Sequence, residues 1–392
     1  MPLAGLILGS DDSAGLAGTL PALLTVAGQS LIEYQVRVAR HCGAGHIVVL
    51  VDQMPSALVA AFDRLRADGI DIEIARDAGD AADRIHPDEA LLVMASGAVA
   101  SRNIVASIAA AGKPILLTVA DTAPHDAFER IDAQSRWAGI AMLDGKLLRA
   151  TSAMLGDWTL GPTLLRTAVQ AGAAHQIVTE GGQVALLRDQ VSAEAFSNSL
   201  ANDVPRQATG WFARYITNPI ARLATPLLLA RKVPLDLMII VPLVLLGSAL
   251  LLGLTGWLKL ALCTFILSGI SAAIASIMTS ISARESSTLL WFDRLFLPVI
   301  AAILVITSLS ADPTGNDRSA IVLALWGVSL LLFTSKSRVE HPWHANAESA
   351  AIIMLCALLF GYPLIGLALI VLYGLITRIS ELGWLEGRIS KI

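Results

Sequence analysis

Between Thr288 and Leu309 an otherwise apolar run carries Asp293 and Arg294 side by side. Ionisable groups in such a run are costly to desolvate, so they mark a candidate site for a polar ligand. The plainer alternative is an aspartate near a membrane surface that only pairs with a nearby arginine. The run before it, Leu260 to Ala283, carries no charge and is long enough to cross a bilayer as a helix. Its hydroxyl residues Ser268, Ser271, Ser276, Thr279 and Ser280 read as contacts between packed helices. Basic residues Arg222, Arg231, Lys232, Arg284, Arg294 and Arg338 surround these runs. Each could hold a lipid phosphate or a nucleotide, or could only fix how the chain sits in a membrane. Glu340-His341-Pro342-Trp343-His344, with Glu348, brings histidines and acids close together. Their spacing suits one helical face, whereas Pro342 favours a loop.

The elements that must position these residues follow from a composition that changes along the chain. Of 392 residues, 55% are hydrophobic, and the mean hydropathy is +0.66. Up to about residue 205 charged and apolar residues mix as in a soluble domain; beyond it, long uncharged runs dominate. Asn202-Asp203-Val204-Pro205 breaks the pattern, which predicts a domain over residues 1–204 and a membrane domain over 205–392. A formal net charge of -4 gives no sign of nucleic-acid binding. Cys42, Cys263 and Cys356 lie too far apart in sequence for a disulfide framework or metal cluster. The first residues lack the basic region and apolar core of a signal peptide, so none is expected.

In the first part, Leu3 to Leu8 reads as a buried strand that feeds a polar loop, Gly9 to Gly15. Further strands are predicted at 46–51, 70–74, 90–94 and 114–119, with helices at 30–41, 56–67 and 104–111. This alternation predicts an α/β, Rossmann-like domain with a largely parallel sheet. Ligands bind such sheets at the carboxyl ends of strands. Gly9, Ser10, Asp11, Asp12 and the end of the Met94 strand are thus the candidate pocket. Asp11 and Asp12 are read as a solvated turn, with a metal pair as the alternative. Hairpins are expected about Asp144-Gly145 and Gly181-Gly182, with a helix over Leu164 to Ala174. The run Leu20-Pro21-Ala22-Leu23-Leu24-Thr25-Val26-Ala27-Gly28-Gln29-Ser30-Leu31-Ile32 resembles the sugar-phosphate nucleotidyltransferases. That resemblance implies a nucleotidyltransferase-like domain with Gly9, Ser10, Asp11 and Asp12 in its nucleotide loop. The family's loop uses an arginine on the triphosphate; here Asp11 and Asp12 stand instead, and Ser96-Gly97-Ala98 stands near its metal-binding aspartate. Transfer needs cationic and metal clamps, so the scaffold is expected without the chemistry.

In the second part, Gly210 to Ala224 mixes aromatics, arginines and apolar residues as an interfacial amphipathic helix does. Six spans are predicted near 234–254, 258–281, 288–309, 319–334, 347–360 and 363–377. Loop charges place both termini in the cytoplasm. Trp291-Phe292-Asp293 resembles the W-x-D of the CDP-alcohol phosphotransferases, and Ser271 to Ser276 resembles an eroded D-G-x-x-A-R of that family. A further family aspartate falls on Leu297. The resemblance implies an all-α six-helix transmembrane domain with Asp293 as catalytic residue and ligand of Mg or Mn. It implies substrate contacts from Arg222, Ser271, Ser276, Arg284, Arg294 and Arg338. It also implies a multi-pass inner-membrane homodimer that meets membrane lipid and a CDP-alcohol or nucleotide. Two functions follow. One is transfer of a phosphoalcohol from a CDP-alcohol to a lipid or polyol acceptor in phospholipid head-group synthesis. The other is an inactive relative that binds lipid, nucleotide or a partner protein.

Overall fold

A computed structural model describes residues 2–9, 20–123, 125–156, 158–178, 183–203, 211–231, 235–284, 286–311, 318–335 and 343–389. By its contacts the chain divides into Met1–Asp203 with Ile281–Arg284, and Val204–Ser280 with Glu285–Ile392.

The first unit is α/β. Its elements are β1 (Leu3–Leu8), a 3-10 turn Pro21–Leu23, β2 (Thr25–Val26), β3 (Gln29–Ser30), α1 (Leu31–His41), β4 (His46–Leu50), α2 (Ser56–Ala67) and β5 (Ile72–Ala75). There follow α3 (Ala78–Arg84), β6 (Ala90–Met94), β7 (Ala98–Ala100), α4 (Arg102–Ala109), β8 (Ile115–Ala120), β9 (Glu129–Arg130) and β10 (Ser135–Asp144). Last come α5 (Gly145–Ala153), α6 (Leu160–Gln170), β11 (Ala174–Ile177), β12 (Val184–Leu186) and α7 (Gln190–Asp203).

The main sheet has the order β11-β8-β10-β6-β1-β4-β5, with β9 beside β10. β1 runs parallel to both neighbours, pairing Gly5 with Ile47 and with Leu92. A strand flanked on both sides by parallel partners is covered on both faces, which is why LAGLIL is apolar throughout. β10 runs antiparallel to β6 and β8, so the sheet is mixed. Leu6, Val48, Leu91, Leu143 and Leu164 meet in one core against the sheet. Each fully buried aliphatic side chain there contributes roughly 2 kcal/mol. Ser30 and Glu33 close a capping box on α1.

Three expectations are corrected. At Asp144-Gly145 the chain does not turn back as a hairpin; β10 passes directly into α5. β11 pairs with β8 and β12 with β7, so these strands do not form a hairpin with each other. Gly181-Gly182 lies outside the described residues. The helix expected over Leu164 to Ala174 starts earlier, at Leu160, and Ala174 already opens β11. The Thr159-Leu160-Gly161 stretch carries the first turn, which apolar spacing alone did not mark.

The second unit is helical. A π-helical turn, Ala213–Thr217, runs into α8 (Asn218–Ala230). Then come α9 (Leu235–Leu254), α10 (Leu258–Ile281), α11 (Ser287–Ala311), α12 (Ser319–Ser335), α13 (Ala347–Phe360) and α14 (Pro363–Ile389). Four of them, α9, α10, α11 and the Pro363–Ser380 part of α14, are long and apolar enough to cross a membrane. Within α12 the apolar stretch Ser319–Thr334 is shorter, as is α13. Phe265, Ile300, Ile303, Leu304 and Met354 centre the core between these helices. Phe265 stacks on Phe296 with ring centroids 4.4 Å apart.

Several hydroxyls within α10 bond back along their own helix. Ser268 donates to the Phe265 carbonyl at 2.7 Å, Ser271 to Ser268 at 2.9 Å and Thr279 to Ser276 at 3.0 Å. Back-bonding of this kind lets a hydroxyl sit in an apolar helix.

Candidate functional site

The helical unit holds a cavity of about 600 Å³. α10 contributes Gly269, Ala272, Ala273 and Ser276; α11 contributes Phe292, Asp293, Phe296 and Leu297. Thr217 and Asn218 enter from the π-helical turn and the start of α8. His344, Asn346 and Glu348 enter from the segment that leads into α13.

Local structure explains why that segment holds its place. Thr334 of α12 donates to the Ala345 carbonyl at 3.0 Å, and the Ala345 amide donates to Thr377 Oγ1 at 3.2 Å. Tyr373 donates its hydroxyl to the Trp343 carbonyl at 2.9 Å. The strap is therefore tied to α12 and α14 before it becomes helix. Asn346 then caps α13, accepting from the Ser349 amide at 2.9 Å in a capping box. Glu348 falls in the first turn, where the positive end of the helix dipole favours a carboxylate. Its Oε1 packs on bare backbone: a Cβ at Gly269 would lie 2.9 Å from it and 3.2 Å from Phe296 Cζ.

Thr217 closes another wall. It is buried, and its Oγ1 has no hydrogen-bond partner. A buried hydroxyl without a partner costs free energy on the order of 1–3 kcal/mol. A π-helical turn is a frequent mark of a functional position, and Thr217 is its last residue.

Of the residues singled out from sequence, the cavity brings together Asp293 and Ser276, with Leu297 beside them. Ser271 bonds back to Ser268 and does not line it. Arg294 is exposed and lies over the Trp291 ring, 5.4 Å from its centroid. Arg284 groups with the first unit, where its guanidinium stands 3.2 Å from Asp68. Arg222 lies in α8, and Arg338 lies outside the described residues. Glu348 and His344, noticed in sequence as neighbours of Pro342, both line the cavity. Thr217 and Asn346 carried no sequence signal, because their place depends on helices distant along the chain.

Among the described residues the donor set does not match a two-metal displacement. Among the described residues no group of three or more His, Cys, Asp or Glu could hold a metal ion. Such a displacement needs metal ions clamped on both the attacking and leaving oxygens. The cavity offers Asp293, Glu348 and His344, with Ala272, Ser276 and Leu297 along the stretches that resemble the aspartate-bearing pattern.

In the first unit, the Gly9 amide donates to the Leu50 carbonyl at 2.8 Å. Ser10, Asp11 and Asp12 lie outside the described residues. After β6, the Gln35 amide donates to the Ala95 and Ala98 carbonyls at 3.0 and 2.8 Å. Ser96 Oγ is buried there without a hydrogen-bond partner. No carboxylate stands in that Ala95–Ala98 turn.

No family model matches the sequence, and no curated protein is similar to it. Among solved structures, the chain is similar to a Bacillus anthracis protein described as a glucose-1-phosphate thymidylyltransferase, in complex with a sucrose. The match covers 52% of this chain and 96% of that one at 16% identity, with a TM-score of 0.41. The fold class itself is read from the strand order and the helices: a mixed α/β unit followed by a helical unit with several apolar helices.

Proposed function

We propose that the chain is a membrane protein of CDP-alcohol phosphotransferase-type architecture whose helical unit binds a polar ligand without metal-dependent transfer. The observation that carries this reading is the lining of the cavity. Asp293 is present, but alanine, serine and leucine occupy neighbouring stretches that would need further acids. A pyrophosphate brought to Asp293 without metal ions would meet like charge, which repels it. The first unit, in the same reading, is a nucleotidyltransferase-like scaffold whose phosphate clamps are absent from the Ser96 turn.

The second reading is an active transferase, favoured by Asp293 and Ser276 lining one cavity as the resemblance requires. Purified full-length protein, given a CDP-alcohol, a lipid acceptor and Mg or Mn, separates the two. The expected result is no metal-dependent release of CMP. Release that is abolished by Asp293→Asn would overturn the non-catalytic reading.

A further inference from the structure

We infer that the outer face of α11 carries a binding site for the head-group phosphate of an anionic phospholipid, built from Arg294 and Trp291. The site lies on a different face from the cavity and does not depend on what the cavity binds.

The helix sorts its residues onto two faces. Leu289, Phe292, Asp293, Phe296 and Leu297 line the cavity. Leu290, Trp291, Arg294, Leu295 and Pro298 are exposed and do not line it. At about 100° per residue, the two sets centre on opposite sides of the helix. Asp293 therefore turns inward, and its neighbour Arg294 turns out. α11 is long and apolar enough to cross a membrane, so its exposed stripe is the surface that lipid meets. Among the described residues no carboxylate stands within ion-pair range of Arg294. An unpaired guanidinium among lipid chains is costly, and it finds its counter-charge at the membrane surface.

Arg294 lies about two turns into α11, roughly 10 Å along the axis. Side chains on a helix lean toward its start. The Arg294 guanidinium accordingly lies over the ring of Trp291, 5.4 Å from its centroid, nearly one turn closer to that start. The arginine thus reaches back toward the membrane surface at which α11 begins, the depth that tryptophan favours. A second pair repeats the pattern. In the π-helical turn the Arg214 guanidinium lies 5.8 Å from the ring centroid of the exposed Tyr215. Ala213 and Leu289 line the same cavity, so that turn and the start of α11 stand at one level. A guanidinium is a planar fork that matches two phosphate oxygens. A head group without its own ammonium leaves the phosphate charge unopposed, which favours an anionic lipid over a zwitterionic one. A free phosphate ion would have to leave water to reach this stripe, whereas a lipid brings its phosphate there.

The test uses the full chain in non-ionic detergent and native mass spectrometry. Phosphatidylglycerol and phosphatidylcholine with the same acyl chains are titrated in turn. The wild type is expected to prefer phosphatidylglycerol. Arg294→Gln and Arg294→Leu should each weaken that lipid by about fivefold or more and leave phosphatidylcholine unchanged. The control is Arg166→Gln in the first unit, which removes an arginine that also lies over a tryptophan, 5.8 Å from the Trp158 centroid. It should change neither lipid. No preference in the wild type, a preference that survives both Arg294 substitutions, or one that Arg166→Gln lowers equally would overturn the inference. Displacement of the lipid by inorganic phosphate at equal concentration would do the same, since a free ion would then be the ligand. A leucine suits a lipid-facing stripe. If neither Arg294 variant stays monodisperse, the arginine holds protein contacts instead of lipid, and the inference fails.

Discussion

Glu33 shows how one buried carboxylate is kept ionised. Its side chain is 2% exposed in α1. Arg64 donates to it from Nε at 2.8 Å and from Nη2 at 3.0 Å, and the Ser30 amide and hydroxyl donate at 2.9 and 2.6 Å. Burial alone would push its carboxyl up, but the bonds from Arg64 and Ser30 outweigh it and hold the group below its usual value of 4.5. With the folded value depressed, this stability is full above the unfolded value and disappears as pH falls through the folded one. The thermal midpoint of the full chain should therefore fall with acid below pH 4.5. Glu33→Gln should cost about 2 kcal/mol at neutral pH and flatten that acid limb. Scanning fluorimetry across pH reads both, and an unchanged acid limb in the variant would refute the role. At this scale the sequence is partly legible. An acid such as Asp293 stands out in an apolar run whatever the fold. A threonine such as Thr217 does not, because its meaning arises only from which walls surround it.

The same division holds for whole elements. β1, α2 and β6 could be read with their ends, since continuous apolar runs and helical spacing are local properties. α3 and α5 escaped. α3 is AGDAADR, with little apolar weight; its real signal is the cap, in which Asp77 accepts from the Asp80 amide at 2.8 Å. α5 escaped because Asp-Gly is a hairpin signal. What overrides it is tertiary: the Gly145 amide donates to the Glu89 carbonyl at 3.0 Å, and its missing Cβ admits the His86 carbonyl. A Cβ there would lie 2.3 Å from His86 O and 3.2 Å from Pro87 Cα, backbone atoms that cannot rotate away. Gly145→Ala would gain up to about 1 kcal/mol of helix propensity and lose about 2–3 to displaced backbone. The net expectation is a loss of about 1–2 kcal/mol. Urea denaturation measures it, and a stabilised variant would mean the helix start can shift away from the 86–89 loop.

For the molecule as a whole, the open question is how many helices cross. Four are long enough by themselves, and an ideal helix of 17 residues like α12 rises only about 26 Å against a hydrocarbon core of about 30 Å. Four crossings or six both leave the termini on one side, so tagging the ends does not discriminate. The 336–342 loop between α12 and α13 does: six crossings put it with the termini, and four put it opposite. The cavity favours six. Asp293 lies near the start of α11, Ser276 near the end of α10, and the 344–348 strap lies immediately before α13, yet all line one space. The start of α13 then lies on the side on which α10 ends and α11 begins. Lys336 and Arg338 agree, matching the basic residues before α9 and at the end of α14. A fluorescent reporter inserted in that loop is expected to mature in the cytoplasm, as one fused after α14 would. Alkaline phosphatase placed between α11 and α12 is expected to be active. Phosphatase activity from the 336–342 insertion would show that α12 and α13 do not both cross, and would separate Glu348 from Asp293 across the bilayer.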